Sequence, residues 1–163
     1  MATKKAGENS LDDIFYMKEA YKEAELAYNL DEVPIGCIIV KTVGGEECKI
    51  IGRGHNRRAI EGNVLRHAEL IAIEQACTFI GDWRLEDCRI YVTIEPCPMC
   101  AGAMVQARIP VLVYGAANPK AGCAGSIYNL LDEPRFNHRA QVINGVYGEE
   151  CADLMRRFFR KFR

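Results

Sequence analysis

The sequence predicts an α/β fold, a mixed β-sheet sandwiched between helices, and three observations point to it. Apolar runs of strand length alternate with segments of helical period, as they do when helices cover a sheet. Small residues gather in one helical segment, where they allow close packing on its neighbours. No repeat and no Pro- or Ser-rich linker divides the chain. One domain is therefore expected over residues 10–163, after an unpatterned, flexible N-terminus at 1–9.

The elements follow in order. Ser10 and Asp13 have capping-box spacing, and Ile14, Met17, Tyr21, Ala24 and Tyr28 recur at intervals of three and four, which predicts an amphipathic first helix. Ile35 to Lys41 and Cys48 to Gly54 read as buried strands, and Gly44 and Gly45 between them mark a hairpin turn. From His67 to about Cys77 the residues are helix formers, apolar on nearly every side, as suits a helix buried on a sheet. Arg89 to Glu95 is a strand, and Pro98 opens a helix rich in Ala101, Gly102, Ala103 and Ala107 that ends near Arg108. A strand at Val111 to Tyr114 leads into a Gly-rich loop through Ser126, and the segment from there to about Arg139 has no clear pattern. A short strand near Val142 and a helix from about Glu149 to Phe162 close the chain.

The 163 residues suit one hydrophobic core, since about 100 to 200 residues commonly share one. A composition 49% hydrophobic and 26% charged, with 14 Gly and 6 Pro, excludes collagen-like, disordered and low-complexity chains. Apolar runs such as IGCIIV fall short of the roughly 18 to 20 residues of a membrane helix, and MATKKAGENS lacks the apolar core of a signal peptide. A soluble, cytoplasmic protein without membrane association is expected. Eight cysteines in a reducing compartment then point to metal or catalytic thiols rather than disulfides. The net charge of -1 gives no overall basicity with which to hold nucleic acid, yet charge is uneven. The first 32 residues hold eight acidic and four basic side chains, whereas the last eight, RRFFRKFR, hold five basic groups, three phenylalanines and no acid.

Cys97 and Cys100, in PCPMC, follow a predicted strand and open a predicted helix. With Pro98 as the first helical residue, Cys97 takes the cap and Cys100 the third helical position, where free amides and the helix dipole favour thiolate. A C-x-x-C pair alone fits a redox pair as well as zinc. His67 and Glu69, in HAE, shift that balance. In mid-helix, residues two apart point to nearly opposite sides, but at a first turn both reach around the helix end. Two helix starts then converge, one with His67 and one with Cys97 and Cys100, and three protein ligands leave the fourth tetrahedral position for water, as in catalytic zinc sites. Zinc lowers the pKa of such a water to roughly 7, and Glu69 is the unligated carboxylate that moves protons. Cys123 is the alternative, as a fourth ligand closing a structural Cys3His site, but that leaves Glu69 without a task. Cys37, Cys77 and Cys88 read as small buried hydrophobes, and Cys48 and Cys151 support no role.

H-x-E together with P-C-x-x-C is an established signature of zinc deaminases. The chain resembles the bacterial tRNA-specific adenosine deaminases of the cytidine-deaminase-like superfamily, from about Phe15 to Phe159. DEVPIGCIIV, GHNR, HAE, WRLE, YVTIEPCPMCAGAMVQARIP, VYGAANPKAGCAGS, FNHR and ECADLMRRFF carry the likeness in order. The zinc motif belongs to the whole superfamily, whereas FNHR and the basic, aromatic last helix are particular to the tRNA branch.

The resemblance implies a three-layer sandwich with a five-stranded mixed sheet and one Zn2+ per subunit, with water or hydroxide as fourth ligand. It implies hydrolytic deamination of adenosine to inosine at the tRNA wobble position, with release of ammonia. It also implies a homodimer whose site for the tRNA anticodon stem-loop lies at the subunit interface. His67, Cys97 and Cys100 match the zinc ligands and Glu69 the proton shuttle. Asn56, in GHNR, matches an asparagine that contacts the target nucleotide, although beside Gly54 it also reads as a turn residue. Asn137, His138 and Arg139 match a segment near the RNA, and also read as a capping or solvated loop. Asn118 stands where aspartate is frequent, at the contact with the flanking ribose. Arg66 precedes His67 where alanine is common, and reads either as a cation beside zinc or as an outward one.

In the tail, Leu154, Met155, Phe158, Phe159 and Phe162 form an apolar stripe expected mainly to pack, while Arg156, Arg157, Arg160 and Arg163 face outward. Arg156, Arg157, Phe159 and Arg160 are the tail's candidates for RNA contact. The nearest rival is a deaminase of a free base such as guanine or cytosine, which needs the same zinc and glutamate. FNHR and the basic tail favour RNA. The rival from another class is a redox or structural-zinc protein without deaminase activity.

Overall fold

The computed structural model describes residues 11–44 and 46–162. The Ser10 cap, the flexible stretch at 1–9, Gly45, the Cys48 side chain and Arg163 lie outside the described residues. Helix α1 (Leu11–Asn29) carries Asp12 and Asp13 in its first turn, where carboxylates meet the positive end of the dipole. It buries Met17, Ala20, Ala24 and Ala27. Strands β1 (Gly36–Val43) and β2 (Glu46–His55) form the expected hairpin, with Gly36 opposite His55 and Val43 opposite Glu46. A one-turn helix, α2 (Arg58–Glu61), which the sequence pattern does not announce, precedes α3 (Ala68–Ile80). Strand β3 (Cys88–Ile94), helix α4 (Pro98–Gln106) and strand β4 (Val111–Ala116) follow. Strand β5 (Gln141–Ile143) and helix α5 (Gly148–Arg160) complete the fold.

The segment between β4 and β5 lacks a period because hydrogen bonds between loops organise it. An Ala124–Asn129 bridge, a 3-10 turn at Leu130–Asp132 and the fully buried Leu131 hold it down.

Among the described residues the sheet has five strands in the order β2-β1-β3-β4-β5. β1 is antiparallel to β2 and β3, while β3, β4 and β5 are parallel. Side chains alternate across it. Ile38, Val40, Tyr91 and Val113 pack with Met17 and Ala20 of α1, whereas Cys37, Ile39, Ile90, Val92 and Leu112 pack with Ala72 and Ala76 of α3 and Met104 of α4. Covering both faces is what makes these strands near-continuous apolar runs in the sequence. Cys37 and Cys88 are core residues and Cys77 is half-buried on α3. No helix among the described residues is long and apolar enough to cross a membrane.

Burial of α3 is one-sided, unlike the all-round pattern read from its sequence: Ala68, Ala72 and Ala76 face inward and Phe79 stands exposed. Small side chains let α3 lie close on β2, and the space beneath it is filled. A Cβ at Gly54 would overlap the carbonyl oxygen of Ala68, the first residue of α3. Gly54→Ala is therefore expected to cost about 1 to 3 kcal/mol through overpacking, read as a lower melting temperature. An unchanged melt would show that α3 moves without cost.

Candidate active site

The sheet and its loops bring two helix starts together. His67 precedes α3 in extended conformation (φ -80°, ψ 149°), and Cys97 precedes α4 in the same way (φ -73°, ψ 174°), with Pro98 in the first turn. Cys100 is thus the third residue of α4, as its sequence position predicts. His67 Nδ1 lies 3.6 Å from Cys97 Sγ and 3.6 Å from Cys100 Sγ. All three donor atoms are within 4.8 Å of one another. Nitrogen and sulfur sharing one tetrahedral zinc, at about 2.0 and 2.3 Å from it, stand about 3.5 Å apart. One imidazole and two thiols at that separation fit the ion. Cys123 is buried nearby but is not part of this donor group among the described residues.

Glu69 is buried in the first turn of α3, and the Cys100 thiol donates to its Oε2 at 3.4 Å. Burial raises the Glu69 carboxyl above its usual range. Hydrogen bonding with Cys100 draws the Cys97 thiol down to about 4, against the effect of burial and with further help from His67. The same contact with Cys97, together with burial, pushes Cys100 up. The hydrogen bond to Cys97 raises His67. The cluster thus holds one sulfur readily as thiolate beside a protonatable imidazole, and a carboxyl that readily takes a proton.

A cavity of about 80 Å³ opens beside these groups, lined by Val33, Ile35, Asn56, Arg58, His67, Ala68 and Glu69. Asn56 has the turn role that one of its sequence readings gives it. Its side chain donates to the Val33 carbonyl (3.2 Å) and accepts from the Arg58 amide (3.1 Å), which fixes the turn after β2, and it lines the cavity. Val33, Ile35 and Arg58 are the lining residues that sequence reasoning misses, because nothing in their spacing marks them. Arg66 pairs with Glu61 (2.9 Å) and Glu74 (3.0 Å), two carboxylates outside the donor group.

The remaining candidates are not among the residues lining this cavity. Asn118 accepts at Oδ1 from the Ala121 amide and shapes its own turn. Asn137 is exposed and lines a hollow with Gly102 and Val105 of α4. His138 Nε2 donates to the Ile109 carbonyl at 2.7 Å, and Arg139 grips Asp132.

On α5, Leu154 and Phe158 are buried and Met155 is half-buried, but Phe159 and Phe162 are 48% and 61% exposed. The core-packing role expected of those last two is thus corrected: the buried row is Cys151, Leu154 and Phe158, and Phe159 and Phe162 lie beside it with their rings 5.2 and 4.9 Å from that of Phe158. They line a broad hollow with Lys120, Arg156 and Arg160. Arg156 pairs with Glu149, and Arg157 with Asp153, on the exposed face.

Fold and donor cluster together define a deaminase, and the MafB19-like deaminase family matches residues 11–163. The tRNA-specific adenosine deaminase of Bacillus subtilis (strain 168) is 51% identical over 151 residues, which cover 93% of this chain and 91% of that protein. A structure from studies of A-to-I editing by tRNA:A34 deaminases at the wobble position superposes with a TM-score of 0.79. Its identity is 38%, and the match covers 86% of this chain and 98% of that one. Guanine deaminase from Bacillus subtilis superposes less closely, with a TM-score of 0.59 and 34% identity over 78% of this chain and 81% of that one. The chain belongs to the tRNA-specific adenosine deaminase family.

Proposed function

We propose that this protein deaminates adenosine to inosine at the wobble position of tRNA, with His67, Cys97 and Cys100 holding one zinc ion per chain and Glu69 moving the protons. The observation that carries the reading is Glu69, buried beside a Cys2His donor group at the edge of a cavity that Asn56 also lines. Zinc in such a site supplies an activated water at neutral pH. Glu69 takes the proton of the attacking water and delivers one to N1 of the adenine, which makes C6 electrophilic. Hydroxide adds to C6, and the same carboxyl then moves the proton of the new C6 hydroxyl to the amine, so that the C6–N bond breaks and ammonia leaves. Asn56 orients the base, which is splayed out of the anticodon loop to reach the cavity.

Residues 10–163 act as one deaminase domain in the cytoplasm. Asn118, Asn137, His138, Arg139, Arg156, Arg157, Phe159 and Arg160 serve the RNA around the target base. The resemblance to the family implies a homodimer, in which two chains together cradle the anticodon stem-loop. Incubation of the purified protein with a stem-loop carrying wobble adenosine, with free guanine and free cytosine as controls, tests the reading. Inosine and ammonia from the stem-loop alone are expected, and turnover of guanine alone would replace it with free-base deamination.

The α5 arginines give a second test. Their ion pairs are exposed and worth little, so they exchange readily for phosphate. Changing Arg156, Arg157 and Arg160 together to Gln is expected to leave the melting temperature nearly unchanged while weakening stem-loop binding. The log-log salt slope should fall by about 0.7 for each lost phosphate contact on single-stranded RNA. Identical slopes would make the basic face mere solvated surface.

A further inference from the structure

We propose that Glu95 is a positioning residue, whose carboxylate sets residues 117–126 against the start of α4 and so holds the substrate-side loop that carries Asn118; the proposal rests on the deaminase reading above. Glu95 directly follows β3, stands two residues before Cys97 and is 1% exposed. A buried carboxylate is costly unless its oxygens are hydrogen-bonded, and here every acceptor position is taken. Oε1 accepts from the Asn118 amide (3.1 Å) and the Ser126 hydroxyl (2.5 Å). Oε2 accepts from the amides of Ala124 (3.1 Å) and Ser126 (3.0 Å). All four donors come from one loop.

Two further contacts clamp that loop to the same short segment. The Cys123 amide donates to the Pro96 carbonyl at 2.9 Å. Gly122 lies so close that a Cβ there would overlap the Glu95 carboxylate itself. Residues 95–97 therefore form a joint, with the loop fastened through Glu95 and Pro96 and a metal donor at Cys97. Packing alone does not require a carboxylate at this place, since an apolar side chain of the same size would fill the space. The four donors do require it. Glutamine keeps the volume, but whichever way its amide turns, its NH2 group faces at least one backbone N–H, which then lacks its acceptor.

The consequence is a division of labour. Glu69 acts on the reacting atoms, whereas Glu95 acts through the loop, on contacts made equally in the ground and transition states. Such contacts govern KM more than kcat. The test is Glu95→Gln, with Gly122→Ala displacing the loop from the same carboxylate without altering it. Both variants are expected to keep one zinc per chain. Amide protection at Asn118, Ala124 and Ser126 should fall by about 10- to 100-fold, the scale of a hydrogen bond to a charged group, while β3 and β4 amides keep theirs. KM for the stem-loop should rise by a similar factor, with kcat within about threefold.

Unchanged protection in the loop, or protection lost evenly across the sheet, would overturn the proposal. So would zinc loss, or a fall in kcat at constant KM, because either would place Glu95 in the support of the metal site. Should Glu95→Gln fail to fold, Gly122→Ala decides alone. Wild-type turnover is measured in parallel. If the wild type makes no inosine, the deaminase reading fails, while loop protection still decides the role of Glu95.

Discussion

Glu69→Gln is expected to leave zinc content and the melting temperature close to wild type and to lower kcat on the stem-loop by about 10² to 10⁴. Glutamine fills the same buried space in the first turn of α3, so packing gives no reason for the fold to suffer. What it lacks is the exchangeable carboxyl proton. Burial raises the Glu69 carboxyl, which makes it a better base toward the attacking water than a solvated carboxylate would be. A second titratable group placed to relay protons would soften the loss. Among the residues lining the cavity only His67 and Arg58 are also ionisable; we assign His67 to the metal, and arginine does not lose its proton. The measurement is single-turnover deamination at saturating RNA alongside metal analysis. A near-normal kcat would remove Glu69 from proton transfer, and loss of zinc would move it into the donor set.

The site is legible in the sequence because helix starts are written in local chemistry. Pro98 places Cys97 and Cys100 on the first turn of α4, and the register of His67 and Glu69 makes sense only at a helix start, which is where both lie. The strands are legible because burial on both faces makes them continuous apolar runs. Their ends differ from expectation by at most two residues, as at β1, which runs on to Val43 where the hairpin turns. Other features are not local. The four residues of α2 are too few to show a period. Phe159 and Phe162 fall outside the buried row of Cys151, Leu154 and Phe158, and apolar spacing alone does not say which row of the tail meets the core. Glu95 looks in sequence like a polar residue closing a strand, and its four partners lie 23 to 31 residues further on. The structure also divides the site candidates. His67, Glu69 and Asn56 share one cavity, while the RNA candidates sit on other surfaces of the same chain.

Removing the metal is expected to abolish turnover, by more than about 10³, yet to leave the sandwich folded. The first half follows from the chemistry the ion supplies, since water bound to zinc loses a proton near pH 7 whereas free water does so near 15.7. Glu69 alone cannot make up that difference, because a carboxyl is a poor base toward free water. The second half follows from packing. In many small zinc domains the metal is the core, and chelation unfolds them. Here the core is built from both faces of a five-stranded sheet, and the three donors stand within 4.8 Å of one another on helix starts held by that core. Extended dialysis against a chelator should therefore give an inactive protein with unchanged far-ultraviolet circular dichroism and a cooperative though lower melt. One equivalent of zinc per chain should restore turnover. Cys97→Ser should behave like the chelated protein but resist rescue, because a serine hydroxyl stays protonated where the Cys97 thiol is drawn down to about 4. Full activity after verified metal loss, or active protein in which Cys97 and Cys100 are joined as a disulfide, would return this cluster to the redox reading.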